Sequence, residues 1–275
     1  MEMVKDYVEG STMQRRDAVD IIEEFSSELS KVRGKCLDIG SGPGDITKDL
    51  LLPLLPHDVE VVGADISQAM VNYARQNNND ERLSYIVLDI EGRISKEQIG
   101  QYDYVTSFYC LHWSKDLWRA FKNIYKLLRP NGKALVMFLG FHCGFEAYVR
   151  LGQNPRYEFY LQDARRYVPY FQRKMCKNMR ASLRKMLEDI GFEILHCSKR
   201  EKSYQYSNQS LKNHVLAVNP FIKRIPDNMK SEFVDNLISE ILSQNVLTPL
   251  DSKNNELVLR YYLLIAYIKK PQSAT

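Results

Sequence analysis

Along this chain the spacing of hydrophobic positions switches repeatedly between a period of two and a period of about 3.6, and those switches predict its elements. Val19, Ile22, Phe25 and Leu29 recur at helical spacing behind Ser11 and Thr12, which can cap a helix start, so a first helix is expected with Gln14 near its N-terminal end. A short apolar run at 35–39 then meets a glycine-rich stretch at 40–44, and helical spacing resumes through Ile46, Leu50 and Leu51. Residues 59–64, 83–88, 104–108 and 133–138 read as further strands, with a helix over 68–76 and another on Leu117, Phe121, Ile124 and Leu128 that stops at an Arg-Pro-Asn-Gly sequence, 129–132. Met179, Leu183, Met186 and Ile190 give a later helix closed by Gly191, residues 192–197 a sixth strand, and residues 257–268 a long apolar final strand.

Strands that alternate with helices need crossover connections and therefore a parallel sheet. The expected fold is α/β and Rossmann-like, a mostly parallel seven-stranded sheet with helices on both faces. Two stretches exceed a plain connection in such a fold. One is irregular and rich in aromatics and arginines; the other is mostly helical by the spacing of Phe233, Leu237 and Ile241. They are expected as insertions over about 140–177 and 205–250 that form a helical substrate cap. The chain is then a single domain over 1–275, with its core at about 30–139, 178–204 and 254–270.

Composition adds mostly exclusions. Of the 275 residues, 44% are hydrophobic and 26% charged, and 38 basic against 34 acidic side chains leave a net charge of +4 spread along the whole length. No block has the footprint of a nucleic-acid surface, so no nucleic-acid partner is expected. The start is charged and no run of about 18 uncharged apolar residues occurs, so neither membrane insertion nor a leader is expected, and the location is read as cytoplasmic. Cys36, Cys110, Cys143, Cys176 and Cys197 form no Cys-x-x-Cys pair and are expected reduced. His57, His142, His196 and His214 show no metal-binding spacing and no Gly-x-Ser-x-Gly elbow occurs, so neither a metal nor a serine nucleophile is expected. A homodimer is left open.

The chemistry centres on Asp38 and the turn Gly40, Ser41, Gly42, Gly44 between a strand and a helix, followed by Asp65 and Ile66 at the end of the second strand. Glycines let the backbone approach a ligand without a Cβ in the way, and a carboxylate on the second strand can accept from ribose hydroxyls. Asp89 after the third strand can accept from an adenine amine, with Ile90 beside it to pack on the ring, and Ser107 ends the fourth strand as a further cofactor contact. A dinucleotide site spaces its glycines Gly-x-Gly-x-x-Gly, whereas here the third glycine comes one residue early and Asp45 takes the later place, where it would repel a pyrophosphate. S-adenosylmethionine has no phosphate and carries a sulfonium, so a turn flanked by Asp38 and Asp45 suits it. The order Asp38, glycine turn, Asp65, Asp89 at successive strand ends resembles the class I S-adenosylmethionine-dependent methyltransferases, which release S-adenosylhomocysteine, and the resemblance covers about residues 35–139 and the last two strands.

The acceptor is read from the residues after the fourth strand. The Asn/Asp-Pro-Pro-Tyr that often marks amine methylation is absent; the chain instead has Ser107-Phe-Tyr-Cys110 and then Leu111, His112 and Trp113, placing an indole N–H donor at the mouth of the site. A donor there suits an anionic acceptor. Together, Cys110-Leu-His-Trp113 and Met13-Gln-Arg-Arg-Asp-Ala18 resemble the insect juvenile hormone acid methyltransferases, over nearly the whole chain. The resemblance implies that Gln14 and Trp113 hold a substrate carboxylate, as equivalent residues do in that family and in plant SABATH carboxyl methyltransferases. It also implies that the acceptor is farnesoic acid or juvenile hormone acid. A carboxylate is already ionised at neutral pH and needs no general base, so His112 is read as a pocket residue. Trp118 is read as a further substrate contact or a packing residue. Tyr148 belongs to a run of aromatics over 138–171, including Phe141, Phe145 and Tyr167, that could desolvate an isoprenoid chain or simply core the insertion. Another small apolar carboxylic acid as acceptor, or a weakly active or non-catalytic paralogue that only binds the cofactor, stays open, as does a nicotinamide enzyme on the same fold.

Overall fold

The computed structural model describes residues 4–244, 247–250 and 256–272. Its strands are β1 (Lys35–Ile39), β2 (Glu60–Asp65), β3 (Leu83–Val87), β4 (Tyr102–Phe108), β5 (Leu128–His142), β6 (Glu193–Tyr206), β7 (Leu247–Leu250) and β8 (Glu256–Lys269). They form one sheet in the order β3-β2-β1-β4-β5-β8-β6, with β7 pairing beside β8. Strands β1 to β5 run parallel, and β8 enters antiparallel between β5 and β6. This is the expected seven-stranded, mostly parallel sheet, extended by the short β7 in a stretch expected to be helical.

The helices are α1 (Val4–Gly10), α2 (Thr12–Glu24), α3 (Ser26–Leu29), α4 (Gln68–Asn77), α5 (Leu117–Leu127), α6 (Cys143–Leu151), α7 (Glu158–Leu161), α8 (Tyr170–Arg173), α9 (Met179–Ile190), α10 (Asn208–Ala217) and α11 (Asp227–Leu242). Side-chain alternation along the strands divides the core between the sheet faces. Tyr104, Leu135 and Met137 pack with Ile21, Ile22, Val71 and Ala74 of α2 and α4, while Val105, Val136 and Ile268 pack with Phe121, Ile124, Leu183 and Leu187 of α5 and α9. The first core continues into α6, α10 and α11 through Phe145, Val215, Phe233 and Leu237. Ser11 is the N-cap of α2 but its side chain makes no capping bond, whereas Asp116 and Asn178 cap α5 and α9 through theirs.

Two local expectations are corrected. The helix expected after the glycine turn is a wide π-type turn at Thr47–Leu51 followed by a 3₁₀ turn at Leu52–Leu54, because Pro53 has no N–H with which to continue an α-helical ladder. The sixth strand does not stop at 197: β6 runs to Tyr206, paired with β8 along its length. Its later half, Lys199 to Gln205, is polar and alternately exposed because it lies at the sheet edge, so no apolar run marks it. Among the described residues no helix is long and apolar enough to cross a membrane.

Candidate active site

The strand order reverses between β1 and β4, and in open α/β sheets the ligand crevice lies beyond the carboxyl ends of the strands at such a point. The glycine turn sits there. Gly40, Gly42 and Gly44 have φ of 75°, 56° and 89°, conformations that favour glycine. A Cβ on Gly40 would overlap Cys110 and one on Gly44 would overlap the Tyr85 ring, whereas above Gly42 the nearest atom is Cε1 of Tyr7, 3.9 Å from where a Cβ would stand. The turn is thus tied down at both ends and open in its middle.

At the end of β2 the Asp65 carboxylate accepts from the backbone N–H of Gly42 (3.0 Å) and of Ser67 (2.8 Å). Burial raises its pKa and these two bonds oppose the rise. Each oxygen keeps a lone pair for a ribose hydroxyl. Ile66 next to it is 67% exposed, Ile90 is buried, and Asp89 is exposed at the end of β3 with one oxygen accepting from Glu91 N–H (2.9 Å). The Ser41 hydroxyl is buried with no partner among the described residues. Gly40, Ser41, Gly42, Gly44, Asp65, Ile66, Asp89 and Ile90 are therefore brought to one end of the sheet. Together, the backbone opening, the unpaired hydroxyl and the carboxylate fit an adenosine-bearing cofactor. Arg15 reaches the turn, but Asp45 (3.1 Å) and Asp49 (3.4 Å) already engage it, which does not favour a pyrophosphate. The same ion pair changes the reading of Asp45, whose charge is engaged by Arg15 instead of being left for a sulfonium.

Asp38 and Ser107 lie beneath the turn. Ser107 donates to the carbonyl of Ile39 (2.8 Å), joining β4 to β1. Asp38 is buried and accepts from the hydroxyls of Thr47 (2.6 Å) and Thr106 (2.8 Å). Burial pushes its carboxyl up to about 6, against the pull of those two hydroxyls. Because this folded-state pKa lies above the unfolded one, the native state binds the proton more tightly. Stability contributed by protonated Asp38 is present below about pH 4 and is lost as pH rises through about 6. Asp38→Asn is expected to flatten that part of the stability profile; urea midpoints measured between pH 4 and pH 7 that stay parallel to wild type would contradict this.

The second half of the site is a pocket lined from α1, α2, the ends of β4 and β5, α6, α10 and α11. It is a narrow pocket with about 590 Å³ of atom-free space, partly open to solvent. Gln14, in the first turn of α2, is 5% exposed and its amide oxygen has no partner among the described residues. Flipping the amide exchanges its oxygen and nitrogen, so the unpaired end can equally donate. Trp113 is half-buried, edge-on to Phe145 (5.5 Å) and Tyr167 (6.4 Å). His112 is buried 4.9 Å from the Trp113 ring, and burial, with His142 adding to it, pulls its pKa down to about 3, which keeps it neutral at neutral pH. Tyr148 lines the pocket with its ring 5.1 Å from Phe221.

Trp118 does not join them. Trp118, on α5, is half-buried against the second core as a packing residue, and it lines a separate surface groove with Lys122 over its ring at 5.5 Å. Two features escaped the sequence reading. Tyr7 reaches from α1 over the glycine turn, and burial, reinforced by Asp45 and Asp65, raises its pKa; Val4, Tyr7 and Val8 at helical spacing were the available signal. Asp17, one turn after Gln14 and 0% exposed, accepts from Tyr109 (2.5 Å), Tyr261 (2.6 Å) and Arg16 (2.9 Å). Among the described residues no group of three His, Cys, Asp or Glu side chains is placed to hold a metal.

Comparison with known proteins agrees with this architecture. A methyltransferase-domain family model matches residues 37–134. The juvenile hormone acid O-methyltransferase of Drosophila melanogaster is 34% identical over 271 residues, covering 96% of this chain and 91% of that protein. That of Bombyx mori is 30% identical over 272 residues, covering 96% of each. A solved structure from Bacillus halodurans C-125, described as a candidate methyltransferase, superposes with a TM-score of 0.60 at 15% identity over 92% of this chain and all of that one, a likeness of fold. With whole-length identity to two such enzymes on a class I methyltransferase sheet, the chain belongs to the juvenile hormone acid O-methyltransferase family.

Proposed function

We propose that this protein is an S-adenosylmethionine-dependent carboxyl O-methyltransferase that esterifies a sesquiterpenoid acid, farnesoic acid or juvenile hormone acid. The observation that carries the reading is the convergence of Gln14 and Trp113 on one narrow, mostly apolar pocket beside the glycine turn, with an end of the Gln14 amide buried and unpaired. Gly42, Ser41 and Asp65 would hold the cofactor, with Ile66 and Ile90 against its adenine and Asp89 at the amine. When bound, S-adenosylmethionine supplies an electrophilic methyl group on a sulfonium.

The protein's own work is then positional. The acceptor carboxylate arrives ionised, so no side chain needs to remove a proton, and neutral His112 is in keeping with that. The Gln14 amide and Trp113 indole donate to the carboxylate and fix which oxygen points toward the cofactor, which is the source of rate in a displacement that requires in-line approach. Phe145, Tyr148 and Val215 exclude water that would otherwise solvate the nucleophile.

Methyl transfer from labelled S-adenosylmethionine should be measured with farnesoic acid, juvenile hormone acid and a straight-chain fatty acid, the product being identified by mass spectrometry. Ester from the isoprenoid acids in preference to the fatty acid is expected. No ester from any acid despite cofactor binding would overturn the acceptor assignment. Asp65→Ala is expected to weaken S-adenosylmethionine binding by roughly 10- to 100-fold, from the loss of hydrogen bonds to a charged acceptor; unchanged binding in calorimetry would overturn the cofactor assignment.

A further inference from the structure

We propose that His142 is a third donor to the acceptor carboxylate, a neutral imidazole that presents Nε2–H beside Gln14 and Trp113; the inference rests on the carboxyl-methylation reading. His142 ends β5 and caps α6, where the backbone N–H of Gly144 donates to its Nδ1 (3.1 Å). Nδ1 is therefore unprotonated. Burial, with His214 adding to it, draws the ring's pKa down to about 3, so the ring is neutral at neutral pH. A neutral imidazole whose Nδ1 accepts must carry its proton on Nε2. That Nε2 is buried and has no partner among the described residues, and the residue lines the pocket. Buried donors are nearly always satisfied, so an unpaired one in a ligand pocket calls for an acceptor atom on the ligand.

The ring is held where it can meet the carboxylate. Its backbone N–H donates to Gln172 Oε1 (3.1 Å) and its carbonyl accepts from Gln172 Nε2 (3.3 Å), so the Gly144 bond and the Gln172 pair together fix it. On one side the Phe145 ring lies 6.2 Å from His142 and 5.5 Å from Trp113. On the other the Tyr261 ring lies 6.0 Å away, and its hydroxyl donates to Asp17, one turn after Gln14. His142 thus shares ring neighbours with Trp113 and with the helix that carries Gln14, and all three line one pocket. A carboxylate offers about four lone-pair positions. One oxygen must keep a lone pair for the methyl group, and the other can take more than one donor. A neutral donor suits this use because it orients the anion without a full positive charge that would stabilise the ground state and weaken the nucleophile.

The test is steady-state kinetics on the full chain with farnesoic acid. His142→Phe keeps a ring and removes the donor; it is expected to raise KM for the acid roughly 10- to 100-fold, the worth of a hydrogen bond to a charged group, with cofactor affinity unchanged. His142→Gln, which can restore an N–H, should recover part of the loss. A KM within twofold of wild type in a folded His142→Phe would overturn the assignment. The wild-type chain labelled with ¹⁵N-histidine gives an independent readout: with S-adenosylhomocysteine bound, Nε2 should be protonated and its resonance should move on adding farnesoic acid but not farnesol. An unprotonated Nε2, or equal responses to both, would overturn it as well. Wild type that makes no ester refutes the carboxyl-methylation reading itself, whereas ester formation with an indifferent His142→Phe refutes only the third donor.

Discussion

Gln14→Ala and Trp113→Phe are each expected to lower kcat/KM for the acid by roughly 100-fold, the scale on which a misoriented nucleophile loses rate, while S-adenosylmethionine affinity stays within twofold. The reason is separation of the two half-sites. The residues proposed to hold the cofactor lie at the ends of β1, β2 and β3, whereas Gln14 sits on α2 and Trp113 in the turn after β4, both lining the pocket. Phenylalanine is the informative replacement at Trp113, because it keeps an aromatic ring facing Phe145 and Tyr167 while removing the indole N–H. Single-turnover transfer with radiolabelled cofactor, alongside calorimetric binding of the same cofactor, measures both quantities. A collapse of cofactor affinity in either variant would move that residue out of the acceptor site.

Asp17→Ala is expected to have the largest effect on stability. Its carboxylate is fully buried and takes hydroxyls from Tyr109 at the end of β4 and Tyr261 on β8, with Arg16 bonded both to it and to the Tyr261 hydroxyl (2.7 Å). Removing one partner of a buried charged cluster leaves the others unsatisfied, at about 3–5 kcal/mol. For a chain of this size that corresponds to a fall in Tm of roughly 10 °C. Tyr109 holds a φ of 55°, a backbone state that a bulky residue adopts only when its surroundings fix it, and the bond to Asp17 is one such constraint. Because this cluster ties the helix carrying Gln14 to the strand end leading to Trp113, the variant should also lose turnover below its melting range. A shift of less than about 2 °C in differential scanning calorimetry, with normal kinetics, would show that the cluster is not the tie between the two donors.

Much of the fold was legible in the chain because hydrophobic period is a local property. The strands around the glycine turn, the helix ended at Gly191 and the long β8 follow from spacing and from residues that only certain backbone states accept. Asp65, Asp89 and the turn itself could be placed for the same reason, since each is fixed by its position just after a strand. Periodicity failed where a neighbour supplies the reason for an element. The polar half of β6 is a strand because β8 pairs with it, and β7 likewise is defined by its register with β8.

Burial and pairing across the chain settled the chemistry of the pocket, and spacing cannot express either. Trp118 is as aromatic as Trp113, yet one packs on the second core beside Lys122 while the other packs on the first core against Phe145, so only Trp113 reaches the pocket. Asp45 reads as a free charge until Arg15 is found against it, and Asp17 reads as an ordinary helix carboxylate until β4 and β8 close around it. The neutrality of His112 and His142 comes from burial, and the tautomer of His142 from the Gly144 N–H that donates to its Nδ1. The sequence alone determined the sheet order's building blocks, the glycine turn and the class of chemistry; the tertiary structure decided which polar groups line the pocket beside it and how far each is buried, because those depend on what distant segments remove from water.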